Sequence, residues 1–302
     1  MFVHCLGVAA GGGYPQWNCA CAGCRKARAK PETASLHAGI AVSGTGEKWF
    51  LLNATPDVHH QIATDPVLHP GPEIRATPVA GVLLTDAEFD HTIGLLMLRE
   101  ESTLAVYGTE PVLAALTSWF PVRELLSDYA QITWSRLDIG KPLELDERLR
   151  ATPFLTGAKA PRYVGRARHS PLGDSAEWEI GFRLEDTVTG GTVVYAPTVP
   201  RWDGKFARQV ASADCVFVDG TFWADDEMSC QGAGSRSGRS MGHLPVGGPD
   251  GSARALAALP AKRKIYTHIN NTNPILDEQS PERQWLTSLG IEVGRAGLEV
   301  EV

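Results

Sequence analysis

No apolar run in this sequence approaches the roughly 18–20 residues that a membrane-crossing helix needs, so no membrane partner is expected. Basic charge is also scarce. Lys and Arg number 28 against 35 Asp and Glu, a net charge of −7, which argues against nucleic acid or an anionic membrane surface as the main partner. The arginines within 162–168 and 236–239 read as solvated loops. Residues 1–13 contain no Lys or Arg and make a poor secretory signal, so a cytoplasmic location is expected, where thiols stay reduced. The Gly11-Gly12-Gly13 triplet lacks a G-x-G-x-x-G context, and no nucleotide site is read there. No linker, short-period repeat or low-complexity tract interrupts the chain. One domain over 1–302 is expected, long enough to bury a substantial core.

What is present is an alternation of short apolar runs and helical stretches. Strands are expected at 2–6, 79–84 and 104–107, with a hairpin from 40–43 and 48–52 around Gly44-Thr45-Gly46. Thr55-Pro56 is expected to open a helix, Thr55 capping it; further helices are expected at 95–99 and 111–119. The second half repeats this grammar. A hairpin is expected from 181–184 and 192–195, strands at 215–219 and 264–268, and helices at 206–211, 252–259 and 281–289. Strands alternating with helices, with a hairpin in each half, imply an α/β fold of two packed sheets covered by helices.

Three buried strands end in polar residues. Val82-Leu83-Leu84 runs into Thr85-Asp86-Ala87-Glu88-Phe89-Asp90-His91, Val216-Phe217-Val218 into Asp219-Gly220, and Ile265-Tyr266-Thr267 into His268. Loops at strand ends converge over a rigid floor in layered α/β folds, so these residues are expected to form one site. Apart from it, Cys19, Cys21 and Cys24 fall within six residues, a spacing suited to tetrahedral zinc rather than disulfides. A structural zinc is expected there, with Asn271, a histidine or water open as its fourth donor.

The stretch Leu83-Leu84-Thr85-Asp86-Ala87-Glu88-Phe89-Asp90-His91-Thr92-Ile93-Gly94-Leu95 resembles the metallo-β-lactamase signature T-H-x-H-x-D-H-x-x-G-L. Asp86 and Glu88 replace its first two histidines, while the Asp-His pair remains as Asp90 and His91. His268 matches the superfamily's late histidine, Ala196-Pro197-Thr198 replaces its bridging G-D-T, and His169 is a candidate for the remaining histidine. Further segments resemble the PqqB branch, the protein B family of pyrroloquinoline quinone (PQQ) biosynthesis. They are Ala9-Ala10-Gly11-Gly12-Gly13-Tyr14-Pro15-Gln16-Trp17-Asn18-Cys19, Leu52-Asn53-Ala54-Thr55-Pro56-Asp57, Val218-Asp219-Gly220-Thr221, Met241-Gly242-His243, and His268-Ile269-Asn270-Asn271-Thr272-Asn273-Pro274. This second resemblance runs from Phe2 to Val302.

The resemblance implies an αββα sandwich of metallo-β-lactamase type that has kept one metal pocket and lost its neighbour. Asp90, His91 and His268 offer two imidazoles and one carboxylate, the donor set of non-haem Fe(II) oxygenases, which zinc also accepts. The family implies hydroxylation of a tyrosine ring, with O₂ and a small peptide or amino-acid-derived substrate as partners. A zinc hydrolase of the same fold and a non-catalytic carrier of the quinone or its precursor stand as alternatives. Asp219 is expected as a fourth ligand or as the carboxylate that orients a histidine, and His243 as a proton-transfer residue. Asp86, Glu88, Asn270, Asn271 and Asn273 are candidate substrate contacts, and Trp17 is placed either against an aromatic substrate or in the core.

Overall fold

The computed structural model describes residues 1–100, 103–164 and 175–302. The first seven-stranded sheet contains β1 (Phe2–Gly7), β2 (Gly39–Ser43), β3 (Trp49–Leu52), β4 (Val79–Leu83), β5 (Thr103–Gly108) and β6 (Gln131–Arg136). The second contains β7 (Leu143–Glu144), β8 (Leu149–Gly157), β9 (Glu179–Asp186), β10 (Thr192–Ala196), β11 (Cys215–Asp219), β12 (Arg263–Thr267) and β13 (Glu292–Val293). The chain then returns to the first sheet, where β14 (Leu298–Glu301) pairs antiparallel with β1. Each sheet begins with antiparallel pairs and ends with parallel ones: β3 to β6 in the first, β10 to β13 in the second.

The period of two along the strands divides the core. Ile40, Val42 and Leu52 point between the sheets and pack with Phe182, Tyr195 and Phe217. Ala41 and Leu51 point outward, into a second cluster to which helix Glu110–Ser118 contributes Val112, Ala115 and Leu116. β11 is buried along its whole length, as a central parallel strand with both faces covered must be. Helices Gly204–Val210, Ser252–Ala257 and Pro281–Ser288 close the outer face of the second sheet through Phe206, Leu256 and Leu286. The expected two-sheet αββα architecture is therefore the observed one.

Two expectations are corrected. The helix expected from Thr55 begins at Val58, because the Thr55 hydroxyl donates to Gln61 Oε1 instead of capping. The helix expected at 95–99 is a 3₁₀ segment, Ile93–Leu98. Gly94 sits so close to the chain beneath it that a Cβ would lie 2.0 Å from the Thr55 carbonyl oxygen. Among the described residues no helix is long and apolar enough to cross a membrane.

Candidate metal centre

The three polar strand ends meet. β4 delivers Thr85 and Asp86, and a four-residue helix, Phe89–Thr92, carries Asp90 and His91. β11 ends on Asp219, and His268 follows β12. Asp90 Oδ2 lies 3.3 Å from His268 Nε2 and 3.7 Å from His91 Nε2, and the two imidazole centroids are 5.1 Å apart. Gly11 passes so near that a Cβ there would lie 3.1 Å from Asp90 Oδ2.

Only two non-glycine residues among those described have positive φ, Asn53 at 71° and His268 at 54°. Such backbone costs on the order of 1–3 kcal/mol and persists where surrounding structure enforces it. Both belong to this site. Asn53 accepts the Thr85 N–H through Oδ1 and so pins the residue before Asp86. His268 is turned so that its ring enters the pocket while the next residue, Ile269, donates to the Val8 carbonyl.

Each histidine is held by its Nδ1. His91 Nδ1 lies 2.7 Å from Asp86 Oδ2, His268 Nδ1 2.8 Å from the Thr221 hydroxyl, and His243 Nδ1 2.8 Å from Asp219 Oδ2. A carboxylate accepts, so His91 and His243 carry their neutral-form proton on Nδ1, which leaves Nε2 as the free donor atom. The Thr221 hydroxyl, 2.6 Å from Asp219 Oδ1, donates there and accepts from His268. His91 Nε2 is buried and has no hydrogen-bond partner. An orphaned lone pair of this kind, facing a carboxylate and a second imidazole nitrogen, fits a cation.

Electrostatics favour positive charge at the same point. Burial would raise Asp90 and Asp86, but the neighbouring imidazoles outweigh it and hold both below the ordinary carboxylate range. Burial would lower His91, and Asp86 and Asp90 overcome it, so His91 is raised. His268, buried and facing His91, is lowered. A metal ion would replace the proton that the two carboxylates draw toward His91.

The remaining candidates separate. Asp219 accepts from the Val199 and Thr221 amides, the Thr221 hydroxyl and His243 and so orients His243, and its carboxylate also stands close to the ring nitrogens of His243 and His268 as a second group of potential metal ligands. Asp86 has an orienting task as well. It accepts the Glu88 N–H and the Thr85 hydroxyl and orients His91, while still lining the cavity. Glu88 lines the cavity, 3.5 Å from Lys159 Nζ, and Asn270 lines it as well. Asn273 does not reach the cavity; its amide donates to the Gly220 carbonyl and accepts from Ile275. Asn271 belongs to the cysteine cluster instead. Trp17 is 88% exposed and joins neither the cavity nor the core. His169 lies outside the described residues.

The cavity, about 220 Å³, is completed by Met241, from the segment ending in His243, and by residues that sequence reasoning did not place in a site: Lys159, Arg162, Glu179, Phe222 and Arg236. Lys159 donates to the Met241 carbonyl at 2.7 Å and so ties the loop before His243 to the end of β8. Burial pushes Glu179 up to about 7. No local motif marks Lys159, Glu179 or Phe222, and Arg162 and Arg236 sit in stretches that composition alone assigns to solvent.

The three cysteines converge at the start of helix Ala22–Ala29. Asn271 Nδ2 lies 3.2, 3.6 and 3.4 Å from the sulfurs of Cys19, Cys21 and Cys24. Burial pushes Cys24 up to about 11, while hydrogen bonds from the Cys24 amide and neighbouring side chains outweigh burial at Cys21 and lower it.

Residues 48–269 match the Beta-lactamase superfamily domain. The chain is 41% identical over 307 residues to Coenzyme PQQ synthesis protein B of Pseudomonas entomophila and 40% identical over 307 residues to that of a Pseudomonas putida strain, covering all of both sequences in each case. The chain belongs to the PqqB family. The crystal structure of Zn²⁺-bound PqqB from Methylobacterium extorquens superposes over the full length of both chains with a TM-score of 0.90 at 35% identity. A diphosphatase of the PhnP family, at 19% identity and a TM-score of 0.68 over all of this chain and 97% of the other, shares the fold.

Proposed function

We propose that this protein is a metal-dependent hydroxylase of PQQ biosynthesis, using Fe(II) and O₂ on the tyrosine ring of a Glu-Tyr-type precursor derived from a ribosomal peptide. The observation that carries this reading is the partnerless, buried His91 Nε2 beside Asp90 and His268. Two imidazoles and one carboxylate are the facial set of non-haem iron oxygenases, and a metal bound there supplies open positions for substrate and O₂. Zinc accepts the same donors, in keeping with the zinc-bound relative. The names of the full-length relatives support the pathway.

Within this reading the protein's own groups have distinct tasks. Asp86 and Thr221 hold His91 and His268 with Nε2 toward the ion, and Asp90 supplies the anionic donor. His243, with Nδ1 fixed by Asp219, offers Nε2 to hold or move a proton at the substrate. Cys19, Cys21 and Cys24 hold a structural zinc. Zinc bonds of about 2.3 Å to sulfur and 2.0–2.2 Å to oxygen set neighbouring tetrahedral donors roughly 3.5 Å apart. The Asn271 amide head stands at that separation from all three sulfurs. Exchanging its amide oxygen and nitrogen, which a rotation of the group accomplishes, makes Asn271 the fourth donor.

A hydrolase with two metals is less well supported, since Asp86 is committed to His91 and Glu88 faces Lys159. The test is anaerobic loading with Fe(II), then O₂ uptake and product mass with a tyrosine-containing precursor. O₂-dependent gain of oxygen in the ring supports the reading; hydrolysis of a phosphodiester by the zinc form, without oxygen transfer by the iron form, overturns it.

A further inference from the structure

The charges lining the cavity are answered with two exceptions. Asp86 and Asp90 face His91 and His268, Glu88 faces Lys159, and Glu179 accepts the Lys159 backbone N–H. Lys159 is further occupied by the Met241 carbonyl. Arg162 has no ion-pair or hydrogen-bond partner among the described residues, and Arg236 spends one Nη2 on the Ser240 carbonyl. Both line the cavity. They arrive from separate segments, one following β8 and one preceding His243, yet they border the same opening. On a chain whose net charge is −7, two guanidinium groups beside one cavity without a carboxylate partner form a local positive field at its entrance.

We propose that Arg162 and Arg236 bind carboxylate groups of the substrate and are specificity-determining residues. A guanidinium offers a planar fork of donors that matches a carboxylate through two parallel bonds. Anchored there by its acidic end, a substrate leaves its uncharged ring for the floor formed by Asp90, His91 and His268. The assignment rests on the hydroxylase reading for the identity of the anion as carboxylate and for the direction in which the ring points.

The test is calorimetric titration of the zinc-loaded full chain with L-glutamyl-L-tyrosine and with its counterpart lacking both carboxylates, L-glutaminyl-L-tyrosine amide. The dicarboxylate is expected to bind at least tenfold more tightly. Arg162→Gln and Arg236→Gln should each weaken it roughly tenfold or more, leave the amide unchanged, keep the zinc content, and flatten the dependence on salt. Arg162→Lys, which keeps the charge and loses the fork, should fall between. The proposal is overturned by equal affinity for the two dipeptides, by no measurable binding of the dicarboxylate, or by variants that weaken both alike. Tighter, arginine-dependent binding of phenyl phosphate would move the anchor to phosphoesters and overturn the carboxylate assignment. The two readings fail separately. Arginine-dependent carboxylate binding without O₂ uptake by the iron form removes the hydroxylase alone, whereas oxygen transfer with a KM indifferent to both variants removes the anchor alone.

Discussion

In the histidine pocket each imidazole is tied at Nδ1 to a carboxylate or hydroxyl, whereas the cysteine cluster gathers three thiols and one amide around the start of a single helix. The pocket draws its residues from both sheets and leaves a cavity open above them. The cluster draws its sulfurs from six consecutive residues, and Asn271 stands over them as a cap. A site with donors left over from orientation can accept a substrate; one that spends every donor on the ion can only hold structure. The two are joined by a short path, since Asn271 lies three residues beyond His268.

The comparison breaks most severely if the pocket survives the loss of an imidazole. His91→Ala and His268→Ala should each abolish Fe(II) binding in the pocket and O₂-dependent turnover while the cysteine-bound zinc stays. Metal analysis after anaerobic loading reads both effects. Tight binding of one Fe(II) by His268→Ala, with oxygen added at the wild-type rate, would refute the assignment. His243→Ala should keep the metal and lower turnover by roughly 10²–10⁴-fold, which separates proton handling from metal holding.

On the other side, Cys19→Ser should remove one zinc per chain and lower the melting temperature, because thiolate-bound zinc contributes folding free energy. The Fe(II) content of the pocket should not change. Retention of full zinc and an unchanged melting temperature would show that the cluster holds no metal.

The smallest effects concern carboxylates at the cavity wall. Glu88→Gln should leave the metal count intact and reduce activity less than any change to Asp90, His91 or His268; loss of one metal equivalent would revive a two-metal centre. Glu179 offers a pH test. Its folded value, about 7, lies above the ordinary 4.5, so the folded state holds this proton longer and stability falls as pH rises through that window. Relative to Glu179→Gln, the wild type should lose up to about 3 kcal/mol between pH 4.5 and 7. Parallel melting curves for the two proteins across this range would show that Glu179 titrates normally.

Much of the site was legible in local sequence because its central residues end strands whose apolar runs are continuous, as at Val82-Leu83-Leu84 and Val216-Phe217-Val218. Asp90, His91 and His268 followed from that pattern together with the family signature, and the cysteine cluster from spacing alone. Strands β6 and β14 were not legible: β6 is partly exposed and weakly alternating, and β14 is defined by pairing with β1 across the length of the chain. The division of labour among polar residues was decided only by tertiary contacts. Asp86 and Asp90 are both carboxylates on one loop, and it is the direction of His91 Nδ1 that makes one an orienting group and leaves the other facing the ion. Asn270, Asn271 and Asn273 are adjacent in sequence, yet a turn sends them to the cavity, the thiols and the Gly220 carbonyl. Arg162 and Arg236 carry no signal apart from the fold, because a solvated arginine and one bordering a cavity have the same local composition. Sequence determined which chemistry was available; the packing of two sheets decided which atom of each side chain was free to perform it.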